Sequence, residues 1–153
     1  MSKYWYIGNQ VKYEVYVSQT MTSLFDHRSN SADLELLYWN PVTGDQVTDM
    51  ELVEKVEWAS QNCVLTFTTL GVWGDSENDR TDINSTSKSG ELLAAGDDSG
   101  SVRMFRFPAI QLSSESKELL GHSAHVTAVE FLDDPHKLVS AGGRETSLMQ
   151  WSL

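Results

Sequence analysis

Two stretches of this chain, LLAAGDDSGSVRMFRF at 92–107 and LVSAGGRETSLMQWSL at 138–153, follow one pattern over sixteen positions. Each has an apolar pair, small residues, a glycine, a polar turn, an apolar run and an aromatic residue near the end. The copies lie 46 residues apart. That period is close to one propeller blade, a four-stranded antiparallel sheet that packs face to face on its neighbours. A second signal agrees. GHSAHVTAVEF at 121–131 opens on Gly-His, and Trp151 follows about 30 residues later, the spacing of one WD-type blade. Between them LDDPHK and RETS read as turns, and LVSAGG and LMQW as strands, which together make a meander. SNSADLELLYW at 29–39 reads as the tail of an earlier copy. It lies 66 residues before Phe105, so the middle copy carries an insertion of roughly 20 residues.

The rest of the chain supports strands rather than helices. VKYEVYV at 11–17 alternates Val11, Tyr13, Val15 and Val17 against Lys12, Glu14 and Tyr16. LELLYW is apolar enough for a strand buried on both faces, and NPVTGDQ after it is turn chemistry. VEKVEWAS and CVLTFTTLGVW read as two more strands. Met50, Val53 and Val56 recur every three residues and fit a helix over 49–58, but β-branched and aromatic neighbours favour a strand. DINSTS, ELLAAGDD and SVRMFRF are strands joined by Gly-containing turns, and PAIQLSSES is a connector broken by Pro108.

The expectation is an all-β chain, a partial WD-repeat β-propeller of about two to three blades of four antiparallel strands. It divides into a divergent N-terminal segment with short strands at 1–28, blades at 29–110 with an acidic insertion loop at 74–81, and a final WD-type blade at 111–153. The final blade ends near its third strand at Leu153, so its fourth must come from elsewhere. KYWYI and VKYEVYV near the N-terminus have the alternation to supply it.

Charge narrows the partners. Twenty-two acidic residues against 11 basic ones give a net charge of −11. Phosphate backbones and anionic membrane surfaces both need clustered Lys and Arg, so neither nucleic acid nor membrane is an expected partner. No run of 18 apolar residues suits a transmembrane helix, and the first residues have no apolar stretch of signal-peptide length. The single cysteine, Cys63, fits a reducing compartment, and a cytoplasmic protein is the expectation.

In the last blade His122 is positioned to be buried at the sheet edge and hydrogen-bonded to Glu145 in the following turn. Ser140 and the indole N–H of Trp151 extend the chain. Such a network stabilises a blade only if each member has a partner. The alternative is a metal site, since His125, Asp133, Asp134 and His136 are near in sequence. However, positions three apart on a strand face opposite ways. DSENDRTD starts like a calcium loop, but Arg80 stands where Gly is needed and Thr86 where Glu is needed. Asn84-Ser-Thr is a formal glycosylation acceptor without a secretory signal. No phosphate-binding loop, nucleophile elbow or metalloprotease motif is present, so no catalysis and no cofactor are expected. Cys63 sits in an apolar run and reads as a small buried hydrophobe.

LELLYWNPVTGDQV, VEWASQNCVLTF, GVW, TDIN, LLAAGDDSGSVRMFRFP and GHSAHVTAVEFL…AGGRETSLMQW resemble, in that order, the last part of the tandem WD-repeat region of the echinoderm microtubule-associated protein-like family. The GVW…TDIN insertion before LLAAGDD distinguishes the family from generic WD repeats. The resemblance implies association with microtubules or soluble tubulin, binding of other proteins through propeller surfaces, and a place in the cytoplasm and cytoskeleton. Glu145 stands where the family usually has Asp, and residues 1–28 do not match the family's upstream sequence. Family members carry many more blades, so the chain resembles a C-terminal fragment or a short isoform. Microtubule attachment in the family is largely attributed to a basic coiled-coil region absent from these 153 residues. Tubulin surfaces are acidic, and a chain of −11 is repelled on average. A general interaction scaffold with no tubulin contact is therefore the alternative.

Overall fold

A computed structural model describes residues 12–15, 27–31, 35–40, 42–53, 56, 58, 61–74 and 82–153. The chain is all-β in character, a partial β-propeller of three antiparallel sheets with one single-turn helix among the described residues. It divides into two compact units, Met1–Leu65 and Thr66–Leu153.

In the first unit, β1 (Lys12–Val15), β2 (His27–Asn30), β3 (Leu36–Trp39) and β4 (Gln46–Val47) form a meander in chain order. Asn40 turns the chain between β3 and β4, where its side-chain oxygen accepts the N–H groups of Val42 and Thr43 at 2.9 and 3.2 Å. β1 thus pairs with β2 and is not a fourth strand for the last sheet; the KYWYI run lies outside the described residues. Met50–Val53 form one helical turn, α1, where a strand was expected to begin. Asp49 explains it, because its carboxylate accepts the Glu51 N–H at 3.1 Å as an N-cap does.

The expected strand CVLTFTTLGVW is not a strand. Side chains hold its backbone instead of a ladder. Asn30 donates to the Leu65 carbonyl at 2.8 Å and accepts the Leu65 N–H at 2.9 Å, so its amide imitates a strand neighbour. The same strand β2 buries Arg28, whose guanidinium lies 4.3 Å from the centre of the Trp58 ring and donates to the side-chain oxygen Gln61 Oε1 at 3.2 Å. Burial pushes the hydroxyl of the adjacent Tyr38 up to about 12, so it stays neutral there. Cys63 is fully buried.

The second unit begins with a turn built on hydroxyls. The Thr66 N–H donates to Thr69 Oγ1 at 2.9 Å, and a 3-10 turn follows at Leu70–Val72. The acidic stretch at 75–81 lies outside the described residues. β5 (Ile83–Ser89), β6 (Leu92–Asp97), β7 (Ser101–Arg106) and β8 (Ser116–Leu120) then form the second sheet, in chain order. β8 pairs with β7, whereas the sequence grouped those residues with the last blade. The break between the sheets therefore falls at 121–125, not at 110–111. β9 (Val126–Phe131), β10 (Lys137–Gly142) and β11 (Leu148–Ser152) form the third sheet, ordered β11-β10-β9.

These two sheets stack. Ala94, Val102 and Met104 from the second meet Val126, Val129, Phe131 and Leu138 from the third in one buried cluster, flanked by Leu92, Leu119 and Trp151. The approach is close because β6 offers Ala94, Ala95 and Gly96. A Cβ at Gly96 would lie 2.6 Å from Val126 Cγ1. Among the described residues one edge of β9 has no strand partner, and β5 supplies hydroxyls for it. The N–H groups of Val129 and Phe131 donate to Ser85 and Ser87 Oγ at 3.2 and 3.1 Å, and Asn84 donates to the Val126 carbonyl at 3.0 Å. The alternation of Ser85 and Ser87 along β5 matches the two-residue repeat of β9.

Gly96→Ala is expected to destabilise the chain by about 1–3 kcal/mol, because the stiff β-branched Val126 can yield little space. Chemical denaturation checks this: the midpoint should fall while the slope stays unchanged.

Candidate functional site

His122 leaves β8 through the Gly121-His122 pair. Gly121 is there for space: a Cβ on it would come within 2.7 Å of both Met149 Sδ and the Trp151 ring. Ser140 lies on β10 and Trp151 on β11, while Glu145 occupies the turn joining those strands. Gly142 leaves room for the acid, since a Cβ there would collide with Glu145 Oε1 and lie 2.7 Å from His122 Nδ1.

The structure brings all four of these side chains together. Trp151 Nε1 lies 2.8 Å from Ser140 Oγ, and Ser140 Oγ lies 2.7 Å from His122 Nε2. His122 Nδ1 lies 2.8 Å from Glu145 Oε1. Donor chemistry sets one direction for the chain. The indole N–H can only donate and the ionised Glu145 carboxylate can only accept, so with a neutral imidazole Ser140 accepts from Trp151 and donates its own proton to His122 Nε2. The imidazole then carries its proton on Nδ1 and donates to the Glu145 carboxylate. Ser147 also belongs here, with its Oγ 3.1 Å from His122 Nδ1 and 3.4 Å from Glu145 Oε1. Its place in RETS, two residues after Glu145, was the available signal for it.

Serine, imidazole and carboxylate in series also describe the nucleophilic relay of a hydrolase. Access argues against that chemistry. The His122 side chain is fully buried and Ser140 is 1% exposed, with the serine oxygen already engaged by the indole. A nucleophile needs an open approach for the carbonyl it attacks. Metal binding meets a similar obstacle, since both imidazole nitrogens are taken. Among the described residues no group of three or more His, Cys, Asp and Glu is placed to hold a metal ion. Asp134 is engaged in the β9–β10 turn, accepting the His136 N–H at 3.0 Å. The amide of Asn84 is engaged too, by Asp98 Oδ1 at 2.7 Å and the Val126 carbonyl at 3.0 Å.

The first sheet holds a counterpart that the sequence reading missed. Trp39 Nε1 donates to Ser29 Oγ at 3.0 Å. In both sheets the serine lies two residues beyond the partner of the tryptophan: His27 opposes Trp39, and Leu138 opposes Trp151. The spacing was visible, with Ser and Trp ten residues apart in one case and eleven in the other.

Glu145 is held below the usual carboxylate range, first by its own backbone N–H and then by the hydrogen bond from His122, against an opposing desolvation effect. A carboxyl with a lowered folded pKa contributes stability that is present above its unfolded value and lost as pH falls through the folded one. Stability should therefore drop on acidification below the normal carboxylate range, and Glu145→Gln should flatten that part of the curve. Melting curves across acid pH measure both. His122→Ala is expected to cost about 1–3 kcal/mol, because it removes the acceptor of the buried Ser140 hydroxyl proton and one donor of Glu145 Oε1, leaving the serine only the indole. Added zinc should leave the wild-type melting temperature unchanged.

A family model described as the echinoderm microtubule-associated protein second beta-propeller matches residues 26–153. Echinoderm microtubule-associated protein-like 2 of Mus musculus is 45% identical over 127 residues, covering 82% of this chain and 19% of that protein. Echinoderm microtubule-associated protein-like 1 of Rattus norvegicus is also 45% identical over 127 residues, covering 82% of this chain and 16% of its own length. The 77 kDa echinoderm microtubule-associated protein of Strongylocentrotus purpuratus is 43% identical over 128 residues, covering 82% of this chain and 18% of its own. The chain thus spans less than a fifth of the length of these relatives.

Proposed function

This chain belongs to the echinoderm microtubule-associated protein family, and on that premise we propose that it is a propeller portion that associates with microtubules or tubulin and serves as a binding scaffold in the cytoplasmic cytoskeleton. The observation that carries this reading is the match over residues 26–153. It has no catalytic part to play. In this reading His122, Ser140, Glu145 and Trp151 hold the last sheet together, a role supported by their burial and by the continuity of their hydrogen bonds.

The second reading is a scaffold that binds other proteins without touching tubulin. The net charge of −11 favours it, because like charges repel an acidic polymer surface. Co-sedimentation with microtubules at low and moderate salt separates the two. The first reading expects saturable pelleting of the chain, strengthened at moderate salt as the repulsion is screened. A chain that stays in the supernatant under both conditions supports the second.

A further inference from the structure

We draw no further inference here: the strongest candidate, the exposed apolar patch of Phe67, Leu70, Ile110 and Leu112 where the turn at 66–72 is hydrogen-bonded to the loop at 108–114, carries nothing because nothing in the structure shows what covers it.

Discussion

The close approach of β9 to β5 and β6 is the contact on which the rest of Thr66–Leu153 depends. Two demands meet there. Apolar side chains must leave water, and the polar backbone at the edge of β9 must not be stranded in doing so. Ala94 and Gly96 answer the first by leaving space that Val126 and Val129 fill. Burying a side chain of that kind contributes roughly 1.5–3 kcal/mol. Ser85 and Ser87 answer the second, each taking one amide of β9. An orphaned buried amide costs about 1–3 kcal/mol, as much as one of those side chains gains. The hydroxyls are therefore as necessary to the stack as the valines.

Within each sheet a polar link does similar work. In the third, tryptophan, serine, imidazole and carboxylate form one continuous chain from β11 to the turn. In the first, tryptophan and serine repeat the innermost part of it. The second sheet replaces it. The sixteen-residue alignment sets Ala94 and Phe105, both buried, where Ser140 and Trp151 stand. The hairpin there is also one residue shorter between its last paired positions, Gly96 with Val102 against Ala141 with Leu148. Asp97 takes over, accepting the N–H groups of Ser99 and Ser101 at 3.0 Å and facing Arg103 Nε at 3.3 Å. A network kept whole or exchanged for another agrees with the cost of leaving any buried member unsatisfied.

This pattern explains what could be seen in the residues beforehand. The 46-residue repeat exposed β6, β7, β10 and β11, because their alternation and turns recur in sequence. His122, Ser140, Glu145 and Trp151 could be named together because a buried histidine needs partners at set positions. The segment from Cys63 to Trp73 was misread as a strand. Its apolar and β-branched residues have strand propensity, but Asn30 and the threonine hydroxyls hold its backbone, and propensity does not register such side-chain partners. β8 was assigned to the wrong sheet because Gly121-His122 looks like the start of a unit, whereas it is the link between two. Ser85 and Ser87 went unnoticed because their partners are backbone groups 44 residues away.

Hydrogen exchange at single amides tests the central contact most directly. If the hydroxyls of β5 seal the edge of β9, the amides of Val129 and Phe131 exchange as slowly as those within β6. Ser85→Ala and Ser87→Ala then accelerate Val129 and Phe131 respectively, each leaving the β10–β11 ladder protected. Fast exchange of Val129 and Phe131 in the wild-type chain, at the rate of an open strand edge, would contradict the account.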